Sequence, residues 1–541
     1  MMFRFVNSES KTIFGAAAIV GVLSFASRLV GLVRDRVLAG RFWGTDVLDA
    51  YYAAFKVPDV MFNLIVIGSL SASFIPLFLK HFGNPLGKDK AWRLTNNVLH
   101  MIMVAMVVLA ILLFLFAEPL ASLIAPGFTA VKHDQVVEYT RIMLLSEIIL
   151  GASVVFGSVL QGTKRFLLYS TAPALYNVGI IVGALWFVDW MGPAGLAWGV
   201  VFGALMHLCV QIAGVLETGY RYRFVFEPRD RDTVEMFRLM GPRVLGIAVS
   251  QLTFVMFTVI ASTLAAGSLT VLQFAYNIEF FPIGIIGVAY AIAAFPTFSE
   301  AIEHHHTKDF VSAFSSTVRQ VLFFLIPLML VFLLLRAQIV RVVVGSGSFD
   351  WEATILTADT LAFFALTFVP QALTYILARA FFALHDTATP LVAGLVSALL
   401  SLITALWLTP HFGVTALGMA FSIGAIINVV LLWVPLRQRV GTLDEERILK
   451  SLFIMSSAGL LCGVVIQVTK PIVVNFLSLN TFFGVLFNGL ICGGAGLLVY
   501  GIVAYALGSQ EIRDVIQGVR KRVFRKVQPE EPIATETTTQ S

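Results

Sequence analysis

Apolar stretches of about 20 residues recur from one end of this chain to the other, and that recurrence leaves few architectures open. Within hydrocarbon every backbone N–H and C=O must find its partner inside the structure, so only helices and closed barrels can cross. Barrel strands would read as segments of about 10 residues with alternating polarity, whereas these runs are continuously apolar. They lie near 12–38, 46–80, 92–117, 136–162, 167–190, 194–218, 235–265, 269–302, 310–335, 353–384, 388–409, 413–436, 449–472 and 480–508. The expectation is an all-α polytopic membrane protein of about 14 transmembrane helices. Composition agrees, with 13% charged residues where a soluble chain carries about 25%.

Loop charge predicts orientation. Lys80, Lys88, Lys90 and Arg93, then Lys164 and Arg165, then Arg221, Arg223, Arg229 and Arg231, then Lys308, then Arg437, Arg439, Arg447 and Lys450 all fall on one side, with Arg520, Lys521, Arg522, Arg525 and Lys526 after the last run. By the positive-inside rule that side is cytoplasmic and holds both termini, which requires an even number of spans. Lys132, Arg341 and Lys470 are the sparse cations opposite, and Arg36 and Arg41 are the main exceptions. The net charge of +5 is accounted for by these loops, so nucleic-acid binding is not expected. Arg4 and Lys11 ahead of an apolar run read as the flank of an uncleaved first helix, not as a secretory signal.

PALYNVGIIVGALWF and GPAGLAWGVVFGALMH resemble PLVAGLVSALLSLITALWL and GVTALGMAFSIGAIIN six spans later. An even separation preserves orientation, so the repeat is parallel about an axis along the membrane normal. It predicts two pseudo-symmetric six-helix lobes, 1–225 and 226–440, then two additional helices within 441–508 and a basic, then disordered, tail over 509–541. Pro58 and Pro76 in the second span, and Pro282 and Pro296 in the eighth, mark kink sites.

Catalysis has no support: P-loop, HExxH, GxSxG and paired-cysteine motifs are absent from the sequence, and no cofactor is implied. Cys209, Cys462 and Cys492 sit singly in apolar runs, and His304, His305 and His306 are adjacent, so on a helix they cannot share one ligand face. Charge inside the spans is more informative, because an ionisable group there costs about 3 kcal/mol on insertion scales and ordinarily faces a bundle interior or a watery cavity. Arg28, Arg34 and Asp35 lie on span one and Asp49, Lys56 and Asn63 on span two. Arg28 and Asp35, nearly two turns apart, share a helix face. Arginines there suit a phosphate-bearing ligand, since guanidinium gives paired donors to phosphate oxygens and keeps its charge. The alternative is a salt bridge between Arg28 or Lys56 and Asp49 or Asp35 that only braces the lobe. Glu147 in span four, and Asn277 and Glu279 in span eight, are further isolated polar positions; either acid could take up a coupling proton or brace its helix.

SRLVGLVRD, TDVLDAYYAAFKVPD and GSLSASFIPLF resemble the first two helices of the MurJ-type (MviN) lipid II flippases, and LIAPGF, GTKRFLLYSTAPALYN, MGPRVLGIAVSQ and RAFFALHDTATP continue the likeness. The resemblance implies two six-helix lobes in a V plus two C-terminal helices, within the superfamily of drug exporters and polysaccharide flippases. It also implies movement of a polyprenyl-pyrophosphate-linked peptidoglycan precursor from inner to outer leaflet of the bacterial cytoplasmic membrane by alternating access. Its partners would be that precursor, membrane lipids, a coupling ion and cell-wall synthesis proteins. Arg28 and Arg34 fall on the family's two arginine positions of helix one, with Asp35, Asp49 and Lys56 also matching. The family's arginine pair on helix two falls at Phe62 and Asn63, its next acid at Ile67, and its helix-eight arginine at Asn277. The implied ligand-facing set is therefore Arg28, Arg34, Lys56, Asn63 and Asn277, with Asp35, Asp49, Glu147 and Glu279 supporting or coupling to an ion. The missing arginines leave open another lipid-linked glycan or an amphipathic cation as cargo, and a non-transporting scaffold as a third reading.

Overall fold

The computed structural model describes residues 13–63, 70–84 and 86–524. Ile67, the N-terminal cations Arg4 and Lys11, and the tail beyond Phe524 lie outside the described residues.

Helices follow one another in the expected order: α1 Ile13–Phe42, α2 Val47–Ala54, α3 Lys56–Phe62, α4 Leu70–Phe82, α5 Lys88–Leu115, α6 Ala117–Ile124, α7 Ala130–Gly162, α8 Phe166–Val182, α9 Val188–Met191, α10 Gly195–Leu216 and α11 Arg231–Ser262. The second half holds α12 Ser268–Pro282, α13 Val288–Glu303, α14 Thr307–Leu334, α15 Arg336–Val343, α16 Trp351–Ala365, α17 Phe368–Ala383, α18 Ala388–Phe412, α19 Thr415–Val440, α20 Glu445–Val474, α21 Phe482–Ala506 and α22 Gln510–Phe524. Among the described residues 9 helical runs are long and apolar enough to cross a membrane, one of them, Phe166–Leu216, containing two spans that reverse near Gly192 (φ +63°). The chain is an all-α polytopic membrane protein with two six-helix lobes and two C-terminal helices.

Of the prolines expected to kink their spans, Pro282 marks a break, whereas Pro76 and Pro296 lie within continuous helices. Pro282 ends α12, and a π-helical turn at Ile283–Gly287 joins it to α13, because the proline ring removes a backbone donor and crowds the preceding turn. The tenth span bends by 41° between α16 and α17. Pro370 stands in the first turn of α17, where a missing N–H is tolerated.

Apolar packing divides into three clusters. One gathers Met61, Phe74, Phe78, Trp92, Val155 and Tyr220 inside the first lobe, and another gathers Phe298, Phe314, Ile326, Phe368 and Ile376 with Met455 and Cys462 of the C-terminal pair. The third belongs to both lobes: Leu38, Leu48 and Tyr52 pack in one continuous core with Leu272, Phe274 and Phe349. The lobes therefore share a core at the end carrying the α1–α2 and α11–α12 turns, and toward the other end their cores separate except where Met236 of α11 packs into the first lobe's cluster. At that other end α11 is held to the first lobe, His81 Nε2 lying 2.8 Å and Lys90 Nζ 3.1 Å from Asp232.

The repeated helix pair identified in the sequence packs backbone to backbone in its first copy. A Cβ on Gly199 of α10 would stand 2.6 Å from the Cα of Gly183 and 3.2 Å from the carbonyl oxygen of Gly179. Small residues at such crossings bring helices close enough for dispersion to hold them without a hydrophobic driving force. Gly199→Leu should lower the melting temperature of the detergent-purified protein by an amount corresponding to about 1–3 kcal/mol or more. Gly494→Leu, at an exposed glycine with no heavy atom within 4 Å of an added Cβ, should leave it unchanged; equal melting temperatures for both variants would contradict this packing.

Candidate functional site

At the shared end, Asp49 is 2% exposed and every close contact of its carboxylate is a donor. Oδ2 accepts from Lys132 Nζ (2.9 Å) and from the Gly267 N–H (2.8 Å), and Oδ1 from the Thr270 N–H (2.9 Å) and hydroxyl (2.6 Å). Asp49 belongs to the first lobe and the N–H groups to the start of α12 in the second. It thus caps a helix of the opposite lobe, supplying negative charge where the helix dipole is positive. Lys132, 5% exposed, also reaches Asp46 at 2.9 Å, so the buried charges are paired as well as hydrogen-bonded.

Arg36 makes the complementary contact. Its Nη1 donates to the carbonyls of Val342 (2.6 Å) and Arg341 (3.2 Å), at the end of α15 where the dipole is negative. Ser346 Oγ returns a hydrogen bond to the Arg36 carbonyl (2.8 Å), and the Ser348 N–H donates to the Gly40 carbonyl (3.0 Å). Arg41 pairs with Asp189 and donates to the Leu185 carbonyl at 2.8 Å. The two arginines that violated the loop-charge pattern are thus bound to named partners. The Arg41 contacts stay within the first lobe; we call those that Asp49 and Arg36 make between the lobes the latch.

A chain of side chains continues inward from it. Arg34 donates to Asp35 Oδ1 (2.7 and 3.0 Å) and to Asn177 Oδ1 on α8 (2.8 Å). Asp35 Oδ2 accepts from Asn277 Nδ2 (3.0 Å), Asn277 Oδ1 from Gln273 Nε2 (2.9 Å), and Gln273 Oε1 from Lys56 Nζ (3.3 Å). Four helices, α8, α1, α12 and α3, are thereby tied through five hydrogen-bonded links. The structure brings together Arg34, Asp35, Lys56 and Asn277 from the sequence-derived set and adds Gln273 and Asn177, neutral amides of which Asn177 falls inside the repeated PALYN segment without being marked by charge. Asn277 serves as a neutral link to Asp35.

Arg28 stands apart from this chain. It is half-buried, its guanidinium lies 5.4 Å from the centroid of the Phe280 ring, and it rests against Gly284 in the π-helical turn so closely that a Cβ there would collide with it. Among the described residues no carboxylate lies within ion-pair range of Arg28. A half-buried cation over an aromatic face keeps a modest attraction and leaves its N–H donors available.

The remaining positions are placed elsewhere. Asn63 Nδ2 donates to the Asp59 carbonyl (2.8 Å), a local bond within its own helix. Glu147 is 1% exposed inside α7, with only Ser146 Oγ near its Oε1 (3.3 Å). Glu279 is fully buried against Thr367 and Gln371. His304, His305 and His306 are exposed, and His306 faces Asp309 at 3.3 Å. Among the described residues no group of three His, Cys, Asp or Glu could hold a metal ion.

Comparison with known proteins places these observations. A family model described as "Lipid II flippase MurJ" matches residues 38–487. A probable lipid II flippase MurJ of Rhizobium tropici is 26% identical over 518 residues, covering 93% of this chain and 96% of the relative. Its counterpart in Thermotoga maritima is 27% identical over 497 residues, covering 91% and 96%. A solved structure of a lipid II flippase MurJ in an inward closed conformation superposes with a TM-score of 0.74 at 22% identity, covering 92% of this chain and 100% of its own. An inward-facing multidrug resistance transporter of the MATE family gives a TM-score of 0.67 at 15% identity, covering 79% and 99%.

Removing the carboxylate charge of Asp49 should loosen the latch, because Lys132 keeps only Asp46 and the α12 N-terminus loses its counter-charge. Spin labels at Val131 and Trp351, both exposed at this end, report the separation. Asp49→Asn should raise the population of the longer distance at least tenfold, the ratio for about 1.4 kcal/mol, within the cost of breaking a buried pair. An unchanged distance distribution would remove Asp49 from the latch.

Proposed function

This chain belongs to the lipid II flippase MurJ family, and from that premise we propose that Arg28 is the residue that holds the pyrophosphate of the cargo while Arg34 and its partners set when the lobes part. The protein is a flippase, not an enzyme, and moves lipid II across the membrane. The observation that carries the assignment of Arg28 is its lack of an anionic partner among the described residues, beside an Arg34 already occupied by Asp35 and Asn177. An unpaired cation at this depth is sustained by water or by an anion arriving from outside the fold. Guanidinium offers that anion paired donors.

Loop charge supports a chain set in the bacterial cytoplasmic membrane with both termini in the cytoplasm, the latch end facing outward and the end where Asp232 of α11 meets the first lobe facing inward. In that frame 1–225 and 226–440 are the two moving lobes, and 441–508 the added helix pair. The headgroup enters between the lobes from the cytoplasmic side, with its lipid tail left in the bilayer, so that no bulky polar group crosses hydrocarbon. Its pyrophosphate meets Arg28, about 9 Å short of Arg34 along α1. An anion there draws on the same positive field that keeps Arg34 on Asp35, weakening the inner end of the chain that ties α1 to α12. Lys56 and Asn277 act through Gln273, and Asp35 and Asp49 orient the donors around them. Asn277 and Asn63, neutral where the family has arginine, leave fewer cationic positions around the pyrophosphate, so its binding rests more heavily on Arg28.

Arg28→Ala should abolish rescue of a flippase-depleted cell and lower transfer of labelled lipid II between leaflets of vesicles at least tenfold, with protein level unchanged. Arg34→Ala should instead lengthen the Val131 to Trp351 distance described above. Normal rescue and normal transfer by Arg28→Ala would defeat the assignment.

A further inference from the structure

Glu279 is enclosed completely, and one of its two neighbouring donors, the Thr367 hydroxyl, stands equally close to a second acceptor. Oε1 lies 2.6 Å from the Thr367 hydroxyl oxygen and 2.6 Å from Gln371 Nε2, while Oε2 has no partner among the described residues. The Thr367 hydroxyl oxygen is also 2.6 Å from the Phe364 carbonyl oxygen. A hydroxyl has a single hydrogen to donate. With Glu279 ionised, one of the two short oxygen–oxygen contacts of Thr367 would contain no hydrogen. With Glu279 as the acid, Oε1–H donates to Thr367 Oγ1, Thr367 donates to Phe364, and the Gln371 amide donates to the carboxyl oxygen, so every contact is satisfied.

Among the described residues no cation pairs with the site. Its neighbours from α12 and α17 are the phenols of Tyr276 and Tyr375 with Gln371. Arg28 on α1 rests on Phe280 and Gly284, and Tyr52 on α2 meets the Phe274 ring. Asp359 on α16 faces Arg336, while Arg437 and Arg439 on α19 pair with Glu445 and Asp386. Asp232 on α11 is held by His81 and Lys90 at the opposite end. A buried carboxylate in such surroundings is neutralised in preference to being stranded.

We propose that Glu279 is a proton-binding site, loaded while Thr367 and Gln371 clasp it and emptied when the tenth span changes its bend. On release the carboxyl O–H bond breaks, the proton passes to water, and the Thr367 hydroxyl turns from Phe364 to Oε1. Gln371 is half-buried and Tyr375, one turn further along α17, is exposed, so the carboxyl is one side chain from accessible surface. Thr367 lies in the break between α16 and α17, and α16 packs on both α12 and the α15 helix whose last carbonyls Arg36 holds. Proton loss thus acts on the segment that bears the second lobe's side of the latch. The inference holds whatever the cargo is.

Infrared difference spectra of the full-length protein in lipid nanodiscs, taken between neutral and alkaline pH, test it. The wild type should show a protonated-carboxyl carbonyl band that disappears as pH rises. The band should be missing in Glu279→Gln and present in Glu147→Gln. In the same preparations the Val131 to Trp351 distance should lengthen with rising pH in the wild type and stay short at every pH in Glu279→Gln. Thr367→Val, which keeps the shape of the site, should move the midpoint of the band. A band that survives Glu279→Gln, a midpoint unmoved by Thr367→Val, or a wild-type pH response of the distance in Glu279→Gln would overturn the proposal.

Discussion

Asp49 rests in a place that only two lobes together can make. Its four donors come from both sides, Lys132 from the first lobe and the Gly267 and Thr270 groups from the second. Parting the lobes removes the helix N-terminus and leaves the Lys132 pair to be rehydrated. The apolar core around Leu48, Phe274 and Phe349 supplies the non-directional part of the closure, at about 25 cal/mol per Å² of apolar surface removed from water. That term is tolerant of small sliding, and the capped helix is not. The polar contacts therefore fix the register in which the apolar surfaces meet, a role buried charges fill better than that of adding stability.

Division of labour between two arginines of one helix follows from this. Arg34 is drawn into a chain that crosses between the lobes, so whatever disturbs it is felt at α12 and α8. Among the described residues Arg28 touches the second lobe through an aromatic face and a glycine of the π-helical turn, contacts that leave its donors free. Two groups of identical chemistry, two turns apart at most, are given separate tasks by their neighbours alone.

The spans were legible because their signal is the sum of about 20 residues each, which single substitutions do not erase. The eighth span's break was legible in Pro282, but the break of the tenth was not, since Pro370 in a helix's first turn reads as a start more readily than as the second half of a bent span. Arg28, Arg34, Asp35, Asp49 and Asn277 stood out as polar groups in apolar surroundings, and all five lie in or beside the lobe contacts. Gln273 and Asn177 carry no charge and could not be distinguished from other amides by sequence. Lys132 looked like an ordinary loop cation until its burial under Phe128 placed it between two aspartates. Arg36 and Arg41 did carry a signal, as cations on the wrong side of a charge pattern, but nothing in the sequence named backbone carbonyls as their partners.

Those carbonyls have a consequence for how such a closure changes over generations. Arg36 reads the main-chain carbonyls of residues 341 and 342, which every residue supplies equally, while Asp49 reads main-chain N–H groups at Gly267 and Thr270 together with the Thr270 hydroxyl. Side chains at 341 and 342 can therefore change without a matching change at Arg36, whereas Gly267, at φ +86°, and Thr270, whose hydroxyl also donates to Asp49, are held. Correlated substitution, the usual trace of two residues in contact, should be faint where Arg36 holds the second lobe and stronger around Asp49.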